Sequence, residues 1–376
     1  MAKNIDKIRF KYKAQNMKTS YSILMAETLM RRYPNPDDFP YCSWSYSQGF
    51  MLWGFIRLYE KTGEEKYKKY VLDYCEKHVR ENGDIPAFTG ISLDDIMPGS
   101  ILVWAWQNTK QEKYRIACTH VRRAFDDYPR NNDGGFWHGK PLSYEMWVDG
   151  FFMGLMFLVR YGKYIDDKDF CFKETVNQLS IGFDCCEKDG SGLLYHAYSE
   201  DRKARWAHPV TGKSPEVWSE GLGWYAMILA DVLEILPKNF DGYDRLSMQL
   251  CKLINGLEKV QDKASGLWYQ VVDKRSHPRN WHDTSGSAMF LYAIKKAGLL
   301  DIADRKLCDS IAEKAFSGIK TKCIVDFEGN ADIHDACDGL GVQLNYDIYV
   351  DYLRNVNSKE AVAAFFWASI IMEFGL

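Results

Sequence analysis

The chain has 376 residues, a formal net charge of −3 and 26% charged residues, which are ordinary values for a globular protein. The near-neutral charge gives no electrostatic footprint for nucleic acid or an anionic membrane surface. Hydrophobic residues make up 46% of the chain, enough for a large core, yet no stretch has the uninterrupted apolar length of a membrane span. We therefore expect neither a nucleic-acid partner nor a membrane partner.

The N-terminal residues and the cysteines indicate the compartment. Residues 1–10 contain no apolar segment of the kind that a secretory signal requires. Ten cysteines occur without CxxC or zinc-finger spacing, and Cys185 and Cys186 are the one adjacent pair. This pattern predicts free thiols in a reducing compartment, hence a cytoplasmic protein without a metal site. The sequence does not fix the oligomeric state, and a monomer is compatible with it.

Apolar residues recur with a helical period along the whole chain, and we find no long alternating strand pattern. The periodicity predicts twelve helices, over residues 16–32, 44–62, 64–81, 94–108, 110–128, 144–162, 166–186, 216–236, 241–260, 282–297, 305–320 and 358–374.

These segments alternate in character. One set opens with aromatic, polar or glycine residues and then becomes very apolar, as at 44–50 and 218–224, whereas the other set is charged, as at 64–70 and 110–115. A helix that is apolar all round is buried, and a helix with a polar face lies at the surface. The alternation therefore predicts an all-α (α/α)6 barrel with an inner and an outer ring. We expect one domain over residues 1–376, with residues 1–15 as an N-terminal extension.

A second repeat lies in the connections. A glycine turn followed by a short aromatic-bearing extended segment occurs at residues 133–138, 189–196 and 264–269, each time before an inner helix. Such a repeat places polar and aromatic side chains at one mouth of the barrel, where the inner helices begin. The unpaired N–H groups of helix N-termini at that mouth suit an anionic ligand.

Asp149 is the one carboxylate in the otherwise apolar run from Met146 to Phe157. Apolar surroundings raise the pKa of a carboxyl group, and a raised pKa makes an acid that still delivers a proton near neutral pH. Gly150 and Gly154 would let other groups approach this helix closely. The alternative interpretation is a buried aspartate that caps the helix or bonds to a neighbouring loop.

Seven further residues join Asp149 at the predicted mouth. Taken singly, Asp94 reads equally as a helix N-cap, His196 as a loop histidine, and Trp218 and Trp224 as core residues. Together, two carboxylates, two histidines and several aromatic rings on successive inner-helix starts favour a sugar-binding cleft, and aromatics at 15% of the chain agree. The predicted site residues are Tyr46, Asp94, His138, Asp149, His196, Trp218, Glu220 and Trp224. HExxH, P-loop, GxSxG and GxGxxG motifs are absent from the sequence.

Several ordered blocks resemble the unsaturated rhamnogalacturonyl hydrolases of glycoside hydrolase family 105, which are relatives of the unsaturated glucuronyl hydrolases. The resemblance extends from about Trp44 to Ser369. Its blocks are Leu93-Asp94 with Pro98-Gly99, Gly135-Phe136-Trp137-His138, Met146-Trp147-Val148-Asp149-Gly150, Gly192-Leu193-Leu194-Tyr195-His196, Trp218 to Trp224, and Thr284-Ser285-Gly286-Ser287-Ala288-Met289.

The resemblance implies the same (α/α)6 barrel and an unusual hydrolysis, in which the C4=C5 double bond of a terminal unsaturated uronic acid is hydrated. The substrate is a short oligosaccharide left by a polysaccharide lyase. The rule relating carboxylate separation to retention or inversion therefore does not apply directly. The family implies no metal and no organic cofactor.

The resemblance also implies a role for each site residue. Asp149 protonates C4 and then activates the water that attacks C5, while Asp94 orients hydroxyl groups and stabilises the developing positive charge. His196 bonds the uronyl group or the water. Substrate binding is assigned to the remaining residues, Tyr46, His138, Trp218, Glu220 and Trp224. Of these, Tyr46, Trp218 and Trp224 stack on sugar faces.

The chain departs from the family pattern at two positions. Family members of the rhamnogalacturonan type commonly carry arginine where this chain has Glu220, and lysine where it has Gly139 followed by Lys140. Replacing arginine with glutamate reverses the charge at a position where a guanidinium would hold an anion or a sugar diol. The departure leaves the Asp149 chemistry in place and leaves the aglycone sugar open.

Two other functions remain as alternatives. A sugar isomerase or epimerase on the same barrel would work through histidines deep in the cavity, on the inner helices. A non-catalytic carbohydrate-binding protein would keep the aromatic cleft and lose turnover. The Asp94 and Asp149 pair favours hydration over both.

Overall fold

The computed structural model describes residues 20–376. Thirteen α-helices lie within this range, and twelve of them coincide with the twelve predicted segments. They are α1 (Tyr21–Arg32), α2 (Tyr46–Thr62), α3 (Glu65–His78), α4 (Gly99–Thr109), α5 (Glu112–Arg123), α6 (Val148–Tyr164), α7 (Lys168–Cys186), α8 (Ser219–Ile235), α9 (Tyr243–Val260), α10 (Thr284–Leu299), α11 (Arg305–Lys320), α12 (Tyr346–Asp351) and α13 (Lys359–Phe374). The predicted extension 1–15 and residues 16–19 of the first predicted helix lie outside the described residues.

Six helices form a closed inner ring. In the order α2, α4, α6, α8, α10 and α13, each helix packs against the next, and α13 packs back against α2. Each of the helices α1, α3, α5, α7, α9 and α11 packs against an inner helix from outside. This arrangement confirms the predicted (α/α)6 barrel, and the short helix α12 stands apart from both rings.

The pattern of buried residues differs between the inner and the outer helices. Every residue of α6 from Val148 to Gly162 is buried, as expected for a helix surrounded on all sides. In the outer helix α9 the buried leucines recur every three or four residues, at 246, 250, 253 and 257. Because fully burying one such side chain stabilises a fold by about 1.5–3 kcal/mol, the apolar stripe fixes the outer helix on the ring.

Three small antiparallel sheets complete the described structure. They pair β1 (Glu145–Trp147) with β2 (Ala197–Ser199), β3 (Cys323–Val325) with β4 (Ala331–Ile333), and β5 (Ala336–Cys337) with β6 (Arg354–Asn355). In the first sheet Trp147 is opposite Ala197, and the Val148 N–H donates to the His196 carbonyl at 3.0 Å. The short sheet therefore fixes the start of α6 beside the loop that carries His196.

A buried ion cluster closes the end of the barrel away from the mouth. Asp231 of α8 is fully buried and accepts hydrogen bonds from Arg57 (2.8 Å), Arg160 (2.6 Å), Lys296 (2.6 Å) and the Tyr292 hydroxyl (2.7 Å). Burial alone would raise the pKa of Asp231, but the three surrounding cations hold it well below its ordinary value. Asp231 thus accepts hydrogen bonds from side chains on three other inner helices, α2, α6 and α10.

The ring is joined where the first and last described helices meet. Glu373 of α13 accepts hydrogen bonds from the Tyr21 N–H (2.6 Å), the Ser22 N–H (3.3 Å) and the Ser20 hydroxyl (2.8 Å). An acidic group at a helix N-terminus satisfies unpaired N–H donors and suits the helix dipole. This contact, together with the packing of α1 on α13, is called the seam below.

None of the helices between residues 20 and 376 combines the length and the apolarity that crossing a membrane requires.

Candidate active site

A cavity opens at the mouth of the barrel. Seven of the eight predicted site residues line it: Tyr46, Asp94, His138, Asp149, Trp218, Glu220 and Trp224. The eighth, His196, is fully buried directly behind Asp149. The structure thus brings together side chains from four of the junctions at which the chain enters an inner helix.

Asp149 lies in the first turn of α6 and is 8% exposed. Its Oδ1 atom is 3.4 Å from the Nε2 atom of His196. Its Oδ2 atom is buried and has no hydrogen-bond partner among the described residues. Because buried carboxylate oxygens are ordinarily paired, an unpaired oxygen at the cavity wall marks the position where a ligand would bind.

His196 is held from its other side by Tyr349 of α12. The Tyr349 hydroxyl is 2.8 Å from Nδ1 of the histidine, and the Gln343 N–H donates to the same hydroxyl oxygen at 3.3 Å. Since the tyrosine oxygen already accepts from Gln343, its own hydrogen is available to Nδ1 of His196. This arrangement favours the tautomer that carries its proton on Nε2 and donates it to Asp149.

The expectation that apolar surroundings raise the pKa of Asp149 is wrong. Burial does push this pKa upward, but His196 and then His138 outweigh burial and leave the pKa of Asp149 below its ordinary value. The sequence neighbours of Asp149 are apolar, whereas the groups that face it come from two distant loops. The raised pKa belongs instead to Asp94, where burial and the neighbouring carboxylates, Asp149 first among them, outweigh His138.

Asp94 lies in a 3-10 turn, Leu93–Asp95, that precedes α4. Ser92 caps this turn by accepting from the Asp94 N–H at 3.2 Å, so the carboxylate of Asp94 is not the cap. Asp95 has the structural role, because it accepts from the N–H groups of Thr89 and Gly90 at 2.8 Å. The side chain of Asp94 is therefore free to line the cavity, with Oδ1 3.7 Å from Nε2 of His138.

Gly150 explains why His138 comes so close to the start of α6. A Cβ atom at this position would lie 2.8 Å from Nδ1 of His138 and 3.0 Å from a methyl carbon of Leu93. Any larger residue would push away the loop that carries the histidine. The predicted close approach is confirmed, and the group that approaches is a site residue.

Aromatic rings form the walls and floor. The indole of Trp147 stacks on the His138 ring at a centroid distance of 4.5 Å, and Trp218 lies 4.5 Å from the His196 ring. Trp224 packs edge-on against Tyr46 at 6.0 Å. The Trp218 Nε1 atom is buried without a partner among the described residues, so one indole N–H is available for a ligand.

A second set of charged side chains lies at the mouth, at the starts of α8 and α13. The Oε2 atom of Glu220, on α8, lies 3.1 Å from the Ser285 hydroxyl oxygen, and Glu360 of α13 accepts from the Tyr46 hydroxyl at 2.6 Å. Lys359 lines the cavity, and its ammonium lies 2.9 Å from Glu360 Oε1 and 3.2 Å from Asp338 Oδ1. In the inner ring α13 is three helices away from α6, so Lys359 faces Asp149 across the mouth.

Several lining residues were not predicted. They are Tyr41, Trp147, Met153, Gly339, Leu340, Gly341 and Lys359. Trp147 stood in the same sequence block as Asp149, and Lys359 begins the last inner helix, so both carried a usable signal. The loop at 339–341 and the backing residue Tyr349 carried none, because no motif marks them. Lys140, beside the altered position Gly139, is exposed and lies over the Tyr128 ring at 5.9 Å, away from the lining.

Comparison with known proteins agrees with the geometry. The chain matches the family model described as Glycosyl Hydrolase Family 88 over residues 21–374. A solved family 105 glycoside hydrolase from C. acetobutylicum ATCC 824 is 30% identical, with a TM-score of 0.88 over 94% of this chain and 99% of that chain.

Two further proteins are similar to this chain. Protein Atu3128 of Agrobacterium fabrum (strain C58 / ATCC 33970) is 36% identical over 183 residues, which make up 48% of this chain and 77% of that protein. The solved unsaturated glucuronyl hydrolase of Bacillus sp. GL1 shares the fold at 14% identity, with a TM-score of 0.70 over 94% of this chain and 95% of that one. The chain belongs to glycosyl hydrolase family 88, together with the related family 105 that the sequence motifs indicated.

Proposed function

We propose that this protein removes a 4,5-unsaturated uronic acid from the non-reducing end of lyase-generated oligosaccharides by hydrating the C4=C5 double bond. The observation that carries the proposal is the meeting of Asp94 and Asp149 in one aromatic-lined cavity, each beside a histidine. Membership of a glycoside hydrolase family supports the reaction class. The related protein of Bacillus sp. GL1 is described as an unsaturated glucuronyl hydrolase responsible for the degradation of glycosaminoglycan.

In the proposed reaction the carboxyl group of Asp149 gives its proton to C4, and positive charge develops at C5 and the ring oxygen. The ionised Asp149 then takes a proton from a water molecule as the water oxygen bonds to C5. The resulting hemiketal opens and releases the shortened sugar. Asp149 ends the cycle protonated, and the net change is the addition of one water.

The lowered pKa of Asp149 in the free protein has to be reversed before it acts as an acid. A uronate carboxylate that enters the cavity brings a negative charge close to Asp149 and displaces water from it, and both effects raise a carboxyl pKa. The anionic substrate thus promotes protonation of its own catalyst. Asp94 stabilises the charge that develops at C5, and His196, held by Tyr349, orients the carboxyl of Asp149.

We infer that the parent polysaccharide is of the rhamnogalacturonan type or related to it. The rings of Trp147, Trp218 and Trp224 supply flat apolar surfaces for sugar stacking. The substitution of Glu220 and Gly139 for the cationic residues common in the family indicates a different aglycone preference from rhamnogalacturonan-specific members.

The position of the histidines bears on the isomerase or epimerase alternative. All eight histidines of the chain fall within residues 20–376, and none lies on an inner helix. His138 and His196 are in the connections that lead to the mouth. A mechanism that uses histidines deep in the barrel is therefore not favoured here.

Ultraviolet absorbance of the unsaturated uronate tests the proposal. The enzyme is incubated with lyase-generated disaccharides from pectin, ulvan-like and glycosaminoglycan sources, and aglycone release is followed in parallel. We expect the absorbance to fall at the rate of aglycone release on at least one substrate, and the product formed in D₂O to carry deuterium at C4. Aglycone release with the double bond intact would contradict hydration.

The variant Asp149→Asn is expected to fold normally and to lose turnover, because an amide N–H is far too weak an acid to protonate carbon. Asp184→Asn is the matched control, since Asp184 is an exposed carboxylate on the outer helix α7 paired with Arg245. Near-normal activity of Asp149→Asn would refute the acid/base role. Oligosaccharide binding without turnover in the unaltered protein would favour the non-catalytic alternative.

A further inference from the structure

Glu220 shares one serine hydroxyl with a second carboxylate. The Ser285 Oγ atom lies 2.8 Å from both oxygens of Asp283 and 3.1 Å from Glu220 Oε2. A serine hydroxyl has one proton to donate and lone pairs to accept. If Asp283 and Glu220 were both ionised, the single Ser285 proton could serve only one of the two contacts. The oxygen atoms of the other contact would then have no hydrogen between them.

Asp283 is the carboxylate whose oxygens already accept several hydrogen bonds. It is the N-cap of α10 and accepts from the backbone N–H groups of Gly286 (2.8 Å) and Cys337 (3.0 Å) and from the Ser219 hydroxyl (2.6 Å). The two backbone donors are fixed, one on each oxygen of Asp283, so both oxygens act as acceptors. The Ser285 proton then belongs to the shorter contact with Asp283, so the proton between Ser285 and Glu220 has to come from Glu220 itself.

The cations near Glu220 are committed elsewhere. Lys359 contacts Glu360 and Asp338, and no ion pair joins it to Glu220 within the described structure. Glu220 is 1% exposed, so water does not compensate its charge. Burial first, and then repulsion from Glu360 and Asp283, raises the pKa of Glu220 well above its ordinary value, while Lys359 and Ser285 oppose the rise. The titratable groups that interact with Glu220 are Tyr46, Asp283, Cys337, Lys359 and Glu360.

We propose that Glu220 is a neutral carboxylic acid that donates its proton to Ser285 and accepts a hydrogen bond from a hydroxyl group of an uncharged sugar. The proposal deepens the proposed function and rests on it for the identity of the ligand. A neutral acid presents no negative charge to the incoming uronate, whereas an ionised Glu220 would repel it. Because Glu220 itself then carries no charge, the sugar group that it binds is an uncharged hydroxyl, unlike the anion or diol that an arginine there would hold.

Infrared difference spectroscopy tests the protonation state without reference to activity. The spectrum of the wild-type protein minus that of Glu220→Gln at neutral pH is expected to show the C=O stretch of a neutral carboxylic acid. A carboxylate band in that difference would overturn the proposal. If Glu220→Gln does not fold, Ser285→Ala replaces it: the acid C=O band is expected to shift because its hydrogen-bond acceptor is removed, and an unshifted band would overturn the proposal.

A matched pair of unsaturated disaccharides tests the ligand class. The two substrates differ only in whether the second sugar carries a neutral hydroxymethyl group or a carboxylate. We expect the wild-type enzyme to prefer the neutral substrate, and Glu220→Arg to shift the kcat/KM ratio toward the anionic one by roughly tenfold or more, the worth of one charged hydrogen bond. A preference of the wild-type enzyme for the anionic substrate would overturn the inference that Glu220 binds an uncharged sugar group.

The two experiments separate this inference from the proposed function. Absence of double-bond hydration on every disaccharide would refute the proposed function and, with it, the sugar hydroxyl as the ligand of Glu220. The infrared result would still decide whether Glu220 is neutral.

Discussion

The ion cluster at the closed end of the barrel gives the sharpest prediction about stability. Asp231→Asn keeps the shape of the side chain but leaves Arg57, Arg160 and Lys296 without their shared anion. Removing one member of a buried ion cluster costs about 3–5 kcal/mol. With an unfolding entropy of about 2.1 cal/mol/K per residue over 376 residues, this corresponds to a fall in Tm of roughly 4–6 °C.

Thermal unfolding followed by circular dichroism measures this effect. The control is Asp309→Asn, which removes a partly exposed surface partner of Lys295 and is expected to cost about 0–1 kcal/mol. Because Asp231 is eleven residues along α8 from Glu220, about 17 Å, kcat/KM is expected to be unchanged in the variant. A fall in Tm no larger than that of the control would refute the reasoning.

The pH dependence follows from the lowered pKa of Asp231 in the folded state. A depressed folded pKa gives stability that is present above the unfolded pKa of about 3.9 and is lost as the pH falls toward the folded pKa. The difference in Tm between wild type and Asp231→Asn is therefore expected to be constant near neutral pH and to narrow in acid. A difference that widens in acid would contradict this sign.

Three further variants address the mouth of the barrel. Asp94→Asn is expected to lower kcat by about 100-fold or more while substrate binding by calorimetry stays measurable; an unchanged kcat would reduce Asp94 to a structural residue. Tyr349→Phe removes the hydroxyl that holds His196, so kcat is expected to fall while the fold is kept, and an unchanged kcat would contradict the role of Tyr349 in orienting His196. Because the pKa of Glu220 is raised in the folded state, its stabilising contribution is present below about pH 4.3 and is lost as the pH rises. The Tm of Glu220→Gln minus the Tm of wild type is therefore expected to increase from acid to neutral pH. A Tm difference that stays constant with pH would contradict the raised pKa of Glu220.

The barrel was predictable because the apolar pattern within each long helix shows by itself whether that helix is inner or outer. Inner helices such as α6 are apolar on every side, and outer helices such as α9 have one apolar stripe, so periodicity alone assigns each to a ring. Helix α12 spans six residues, too few for a periodic pattern, and strands of two or three residues leave no alternation to detect. The elements that were missed, α12 and the short strands, are those that depend on contacts with neighbouring segments and have no sequence pattern of their own.

The composition of the site was predictable, but its electrostatics were not. Asp149 reads as an apolar-flanked acid in sequence, yet His138 and His196 reach it from loops 11 residues before and 47 residues after it. The charged pair Lys359 and Glu360 lies at the start of the last inner helix, far in sequence from the residues it joins at the mouth. Charge at a site depends on all the segments that meet there, whereas sequence reasoning sees one segment at a time.

The seam has a consequence for the order in which the barrel assembles. Five hairpins join helices that are neighbours in sequence, whereas the seam brings together Tyr21 and Glu373, which are 352 positions apart. Local pairs form with little loss of chain entropy, and contacts of long sequence separation form late. The ring therefore stays open until the last inner helix has been synthesised and has docked on the first outer helix. Until that contact forms, the apolar faces of α13 and α2 remain unpaired, so the seam sets the period during which the folding chain is most exposed to aggregation.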